Sequence, residues 1–265
     1  MPLSAETTVK EIFLSACTRN DLAMVGQLLD LQPIGADVDW KDVDDNDGWT
    51  GLHIAAGKNY MELLELLLAH GADVNIKDKF ERTPLMVACS RGHENIARRL
   101  CRAPGVQINF KNRFGRNALF SAVYYVKPAC VSVLREVAGV DWNAGHGFNP
   151  LTVAVQFGQA DILQIILSVP PPDLDLSVTD RRGRNIAQIA VEEDFGDRQR
   201  CVELLSRDGR VDWNKRNSQG DTPLLFCLKN DKTEMARCLI NTPGVDLDIT
   251  DSDGQYPETI ARLVS

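Results

Sequence analysis

An apolar–polar–apolar tripeptide recurs along the chain: Val38-Asp39-Trp40, Ala72-Asp73-Val74, Val106-Gln107-Ile108, Val140-Asp141-Trp142, Leu174-Asp175-Leu176, Val211-Asp212-Trp213 and Val245-Asp246-Leu247. Successive copies lie 34 residues apart, except for one step of 37 ending at Trp213. A period in this range marks a stack in which each unit buries its apolar face only against its neighbours. The 265 residues are therefore expected to form one continuous array, with function on an extended surface.

Two columns punctuate each period. A glycine column reads Gly48, Gly115, Gly147, Gly183, Gly220 and Gly254, and Glu81 interrupts it. Seven residues on, a small column reads Ala55, Ala88, Ala122, Ala154, Ala190, Cys227 and Ala261, the residue sizes that close helix packing demands. Between the columns stand Thr50-Gly51-Leu52, Thr83-Pro84-Leu85, Asn117-Ala118-Leu119, Asn149-Pro150-Leu151 and Thr222-Pro223-Leu224. Thr or Asn followed by Pro predicts a helix start, because the side-chain oxygen caps free N–H groups and proline at the first helical position loses no hydrogen bond. A second amphipathic helix is predicted after each, clearest at 61–68 and 162–167.

The stretch Asp47-Gly48-Trp49-Thr50-Gly51-Leu52-His53-Ile54-Ala55-Ala56, continuing to Ala69-His70-Gly71-Ala72-Asp73-Val74-Asn75, resembles an ankyrin repeat, as do Gly92-His93-Glu94 and Asp221-Thr222-Pro223-Leu224. The resemblance covers nearly the whole chain and implies an all-α repeat solenoid of helix, turn, helix and projecting β-hairpin finger. The expected boundaries are a capping repeat at 8–44, repeats at 45–77, 78–111, 112–143, 144–179, 180–216 and 217–250, and a half repeat at 251–265. The single helix expected at 257–264 is either a short cap or the start of further repeats. Glu81 stands where the family uses a glycine in a left-handed turn, at a cost of roughly 1 kcal/mol or a different finger tip. Repeat 144–179 has a shortened finger and a Pro170-Pro171-Pro172 insertion, and repeat 180–216 replaces Thr-Pro-Leu with Asn185-Ile186-Ala187.

No catalytic constellation emerges. Gly51 and Gly57 stand one residue too far apart for a phosphate-binding loop, and Asn59 stands where a Ser or Thr should bind magnesium. The acidic run Asp42–Gly48 fails as a calcium loop, since Val43 and Ile54 fall at liganding positions. The histidines His53, His70, His93 and His146 have no metal or catalytic spacing. Resemblance implies hydrogen-bonding roles for the first three, and His146 is expected to be exposed. The expectation is a non-enzyme with no metal and no cofactor. The first residues lack signal-peptide blocks and no apolar run reaches membrane-spanning length, so a cytoplasmic or nuclear location is expected. Seven scattered cysteines without a CxxC pair agree with a reducing compartment.

Resemblance implies partner binding through finger tips and first helices. The tip column contains Phe80, Phe114 and Phe148 consecutively, a row on the order of 20 Å long at the spacing of stacked helices. Lys79, Arg113, Arg116, Arg181 and Arg182 accompany it, and Tyr124, Tyr125, Phe157 and Trp49 fall at other free positions. Trp40, Trp142 and Trp213 are assigned to the core. Although the total charge is −8, residues 77–116 hold ten basic side chains against three acidic ones. The expected partner is a protein or peptide with acidic and apolar residues, bound by a chain that is monomeric by itself. Two alternatives stay open: a regulatory ankyrin region of a larger enzyme or channel, and, more weakly, a nucleic-acid binder through the basic block 77–116. Resemblance further implies that Asn75, Asn109, Asn143 and Asn214 hold the fingers, here by local side-chain bonding, and are substrates for asparaginyl hydroxylation.

Overall fold

The computed structural model describes residues 5–31, 37–42, 47–145, 148–170, 172–193 and 196–248. His146, Gly147, residues 43–46 of the acidic run, Pro171 and the half repeat at 251–265 lie outside them. The chain divides into two compact units, 1–140 and 141–265. The first contains α1 (Ala5–Arg19), α2 (Leu22–Asp30), α3 (Gly51–Lys58), α4 (Met61–Ala69), α5 (Pro84–Arg91), α6 (Glu94–Cys101), α7 (Ala118–Tyr124) and α8 (Pro128–Arg135). The second contains α9 (Pro150–Gln156), α10 (Ala160–Leu167), α11 (Ile186–Glu192), α12 (Arg198–Ser206), α13 (Pro223–Lys229) and α14 (Thr233–Ile240).

The odd-numbered helices from α3 on begin where the Thr and Asn residues predict. Thr50, Thr83, Asn117, Asn149, Asn185 and Thr222 are the N-caps, each accepting the backbone N–H three residues on. The small column is fully buried from Ala55 to Cys227. Its carbonyls also close the inter-helix turns: those of Ala55, Ala88, Ala122, Ala154 and Cys227 accept the N–H of Tyr60, His93, Lys127, Gln159 and Lys232 at 2.8–3.0 Å. One column thus fixes both helix approach and turn. The cysteines are free thiols, buried except for the half-buried Cys101 and Cys238. Trp142 and Trp213 are buried as expected, and Trp40 packs edge-on against Phe13 at 6.1 Å.

The fingers differ from the expected β-hairpins. Among the described residues there is no strand, only the isolated bridges Lys41–Thr50 and Thr179–Asn185. Each regular finger is closed by two backbone bonds, from the N–H of Asp78, Asn112, Asp180 or Asn217 to the carbonyl four residues on and from the N–H three residues on back to its own carbonyl, at 2.8–3.1 Å. The Oδ1 of that same residue accepts the N–H groups two and four residues on. The connection is too short for a ladder, and a side chain supplies the missing acceptors. Glu81 adopts φ +59°, the left-handed conformation that Gly115, Gly183 and Gly220 hold in the equivalent fingers at +72°, +75° and +83°.

The asparagine column works differently from the local bonding expected of it. Asn75 Nδ2 donates to the Gly105 carbonyl at 2.9 Å and its Oδ1 accepts the Gln107 N–H at 2.8 Å, 30 and 32 residues away. Asn143 repeats this with Asp173 and Asp175, and Asn214 with Gly244 and Asp246. Asn109 Nδ2 donates to Gly139. Local turn closure falls instead to the preceding aspartates, since Asp73, Asp141 and Asp212 accept the N–H of Asn75, Asn143 and Asn214. The asparagines therefore join successive repeats.

Candidate functional site

Within the unit 1–140, rings and guanidinium groups from two adjacent fingers and α7 alternate. Arg82 lies 5.0 Å from the Phe80 centroid, Arg113 4.7 Å from Phe80 and 5.0 Å from Phe114. Arg116 lies 5.6 Å from Phe114, 4.9 Å from Phe120 and 5.3 Å from Tyr124. Tyr124 stacks on Phe120 at 5.7 Å and meets Tyr125 edge-on at 5.2 Å. Each contact falls in the range where a ring quadrupole attracts a cation or a second ring.

The three tip phenylalanines differ in exposure. Phe80 is half-buried because Arg113 of the following finger covers it, and Phe148, in the other unit, is half-buried with Arg181 5.6 Å from its centroid. Phe114 alone of the three is exposed, at 61%. Tyr125 and Val126 are each 55% exposed and Tyr124 38%. Phe114, Tyr124, Tyr125 and Val126 therefore form the open end of the ladder. Trp49 is not part of it: the ring is half-buried, stacks on His53 at 6.5 Å, would touch any Cβ at Gly57, and has Arg91 5.8 Å from its centroid. Lys79 is exposed with its stem against Gly48. Arg181, Arg182 and Phe157, all exposed, belong to the unit 141–265.

The basic block is less uniform than its sequence count. Arg82 bonds Asp47 and Asp78 at 2.6 Å, Arg98 pairs with Glu94 and Glu136, and Arg99 pairs with Glu65. Among the described residues Arg113 and Arg116 have rings and no carboxylate. The reason is legible in one column: Arg82, Arg116 and Arg184 each stand four residues after the finger-closing residue. In two fingers that residue is an aspartate, and Arg82 and Arg184 bond Asp78 and Asp180 at 2.6 and 2.8 Å. In the third it is Asn112, which bears no charge, and Arg116 turns to the aromatic faces.

Sequence reasoning missed Arg82 and Phe120 as ladder members, and it missed Val126. Val126 closes the α7–α8 turn at φ +55°. In the equivalent turns a glycine, asparagine or aspartate takes the left-handed conformation: Asn20, Asn59, Gly92, Gly158 and Asp231. A β-branched residue there carries strain of order 1–3 kcal/mol. It sits beside the two exposed tyrosines.

The three described histidines make hydrogen bonds within and between repeats. His53 Nε2 donates to the Arg82 carbonyl at 2.9 Å while Nδ1 accepts from the Thr50 N–H at 3.3 Å, so the neutral ring holds finger and helix start together. Burial lowers its pKa to about 4. His93 Nε2 meets the Gly57 carbonyl at 3.1 Å, and His70 lies between the Leu66 carbonyl and Asp30. Among the described residues no group of three or more His, Cys, Asp or Glu could hold a metal ion, and no helix is long and apolar enough to cross a membrane.

Comparison with known proteins gives a consistent result. Residues 12–112 match the family described as Ankyrin repeats (3 copies), and residues 187–240 that described as Ankyrin repeats (many copies). The chain is 35% identical over 131 residues to the probable 26S proteasome regulatory subunit p28 of Saccharomyces cerevisiae, covering 49% of this chain and 56% of that protein. It is 34% identical over 125 residues to mouse Rabankyrin-5, covering 46% of this chain and 11% of that one. Against the transient receptor potential cation channel subfamily A member 1 homolog of Caenorhabditis elegans the identity is 27% over 200 residues, 75% of this chain and 16% of the channel. The chain thus spans about half the length of p28 and much less of the other two. The crystal structure of the ankyrin repeat domain of Bcl-3 superimposes with a TM-score of 0.69 at 25% identity, covering 81% of this chain and 92% of that domain.

Proposed function

The chain belongs to the ankyrin repeat family, a fold that serves as a non-catalytic interaction module, and on that premise we propose that it binds a partner protein or peptide at the open end of the ladder. One observation carries this reading. Phe114, Tyr125 and Val126 are each more than half exposed beside Arg113 and Arg116, two cations without a carboxylate among the described residues. Apolar surface of this kind is costly to leave wet, and the uncompensated cations select a partner with acidic groups near its apolar ones. The test is affinity capture with the wild-type chain and with Phe114→Ala/Tyr125→Ala, whose folding is checked by thermal melting. A partner retained equally by both would remove the ladder from the binding surface.

The small shares of Rabankyrin-5 and of the channel homologue that the chain matches support a second reading, a regulatory ankyrin region acting on other parts of a longer protein. Probing the cellular protein by size on a denaturing gel distinguishes the two. Nucleic-acid binding is disfavoured because Arg82, Arg98 and Arg99 of the basic block are already ion-paired. A cytoplasmic or nuclear location fits the free thiols, and cell fractionation is its check. Hydroxylation of Asn75 would require local opening, since both ends of its amide bond the next repeat. Intact-mass analysis after incubation with an asparaginyl hydroxylase tests it, and no added oxygen at any of the four asparagines would end the idea.

A further inference from the structure

We propose that Arg113 and Arg116 hold the phosphate monoester of a phosphorylated partner segment, with Phe114, Tyr124 and Tyr125 receiving the apolar residues around it; this rests on the protein-binding reading above. The two guanidinium carbons lie 5.0 and 5.6 Å from the same ring centroid, that of Phe114. Neither has a carboxylate partner among the described residues. Two cations gathered at one ring repel each other, and among the described residues no carboxylate neutralises either of them. An anion bound between them would.

Stacking also selects the kind of anion. A guanidinium lying over rings has its faces covered and only its N–H edge available, the geometry in which arginine donates two parallel bonds to one oxyanion. The Arg113 guanidinium carbon lies over the Phe80 and Phe114 rings, and that of Arg116 over the Phe114, Phe120 and Tyr124 rings. A carboxylate has two oxygens and one charge, enough for one such fork. A phosphate monoester has three terminal oxygens and nearly two charges, enough for both.

The sister fingers show what occupies this arginine edge elsewhere. Arg82 and Arg184 direct Nε to Asp78 and Asp180. At Asn112 the carboxylate is missing while the backbone role is kept, because Oδ1 still accepts the Phe114 and Arg116 N–H groups at 2.9 and 3.1 Å. The Arg116 fork is thereby left open for an external anion. Asn112→Asp is the discriminating substitution: it restores the internal carboxylate, and the finger geometry of Asp78 shows that the fold accepts it.

The first probe is phenyl phosphate, with benzoate and inorganic phosphate as comparators, followed through the arginine Nε–H signals in NMR spectra of the whole chain. Phenyl phosphate should shift the Arg113 and Arg116 signals and bind about fivefold or more tightly than either comparator. Asn112→Asp and Arg113→Gln should each weaken it by a similar factor while the remaining spectrum stays that of the folded protein. Equal binding of benzoate, indifference to Asn112→Asp, or stronger competition from a single-stranded oligonucleotide than from a phosphopeptide would overturn the proposal. The second arm presents one degenerate peptide library with a central phosphoserine and the same library after phosphatase treatment. Retention of the phosphorylated form alone supports the proposal. Equal retention of both forms, lost in Phe114→Ala, overturns the phosphate site and leaves the protein-binding reading standing.

Discussion

Asn75→Ala removes two bonds that join adjacent repeats: Nδ2 to the Gly105 carbonyl at 2.9 Å and the Gln107 N–H to Oδ1 at 2.8 Å. A net value of roughly 0.5–1.5 kcal/mol for each gives about 1–3 kcal/mol. Gly105 and Gln107 are exposed, so water satisfies the groups left behind and the lower half of that range applies, about 1.5 kcal/mol. The assay is urea unfolding of the variant beside Asn95→Ala, an exposed asparagine on α6 that serves as the control. Interactions in an array are between neighbours, so the loss should also be local. Hydrogen exchange should quicken at the Gln107 amide and little at the equivalent Asp175 amide, which Asn143 holds in the other unit. A Gln107 amide as protected as in wild type, with a stability change no larger than that of Asn95→Ala, would refute the inter-repeat role.

Phe80→Ala should destabilise the fold by about 1–3 kcal/mol, because the ring fills the space between Arg82 and Arg113, whereas Phe114→Ala should cost about 0.5 kcal/mol or less in thermal unfolding and act on partner capture instead. Val126→Asn should stabilise the chain by about 1 kcal/mol, read as a higher urea midpoint, since asparagine tolerates φ +55° and valine does not. For His53 the folded pKa of about 4 lies below the unfolded value of 6.5. Its contribution is therefore complete above pH 6.5 and is lost as pH falls toward 4, up to about 3 kcal/mol. Unfolding free energies measured between pH 7 and 4 should show this slope in wild type and a shallower one in His53→Gln. Glu81→Gly should leave stability within about 1 kcal/mol of wild type or raise it, because relief of the left-handed strain offsets the added chain entropy; a clear loss in a melting curve would argue against strain at Glu81.

The features legible in the sequence are those whose causes lie within one repeat. Thr83-Pro84 announces a helix start because cap and proline act on their own backbone, and Ala88 announces close packing by its size. The left-handed conformation at Glu81 was readable from the glycines in the equivalent fingers. What the sequence concealed depends on residues one period away. Phe80 looks exposed until Arg113, in the next finger, covers it. The asparagine column looks local until its partners prove to lie 30 and 32 residues on. Charge counting over 77–116 missed that Glu65, Glu136 and Asp47, all outside the block, neutralise three of its arginines. The signal for the open arginine was present, since of the three fingers with an arginine four residues after the closing residue only one has Asn112 in place of an aspartate, but its consequence needed the geometry of the fork.

The central claim, that the open end of the ladder contacts a partner, is tested most directly by site-specific photo-crosslinking. A photoreactive phenylalanine analogue placed at Tyr125, and in a second sample at the exposed Arg207, is irradiated in cells. The account predicts one discrete crosslinked species from position 125, absent from position 207 and lost when Arg113→Gln is added. The same adducts from both positions, or none from position 125 while the chain still captures its partner, would contradict it.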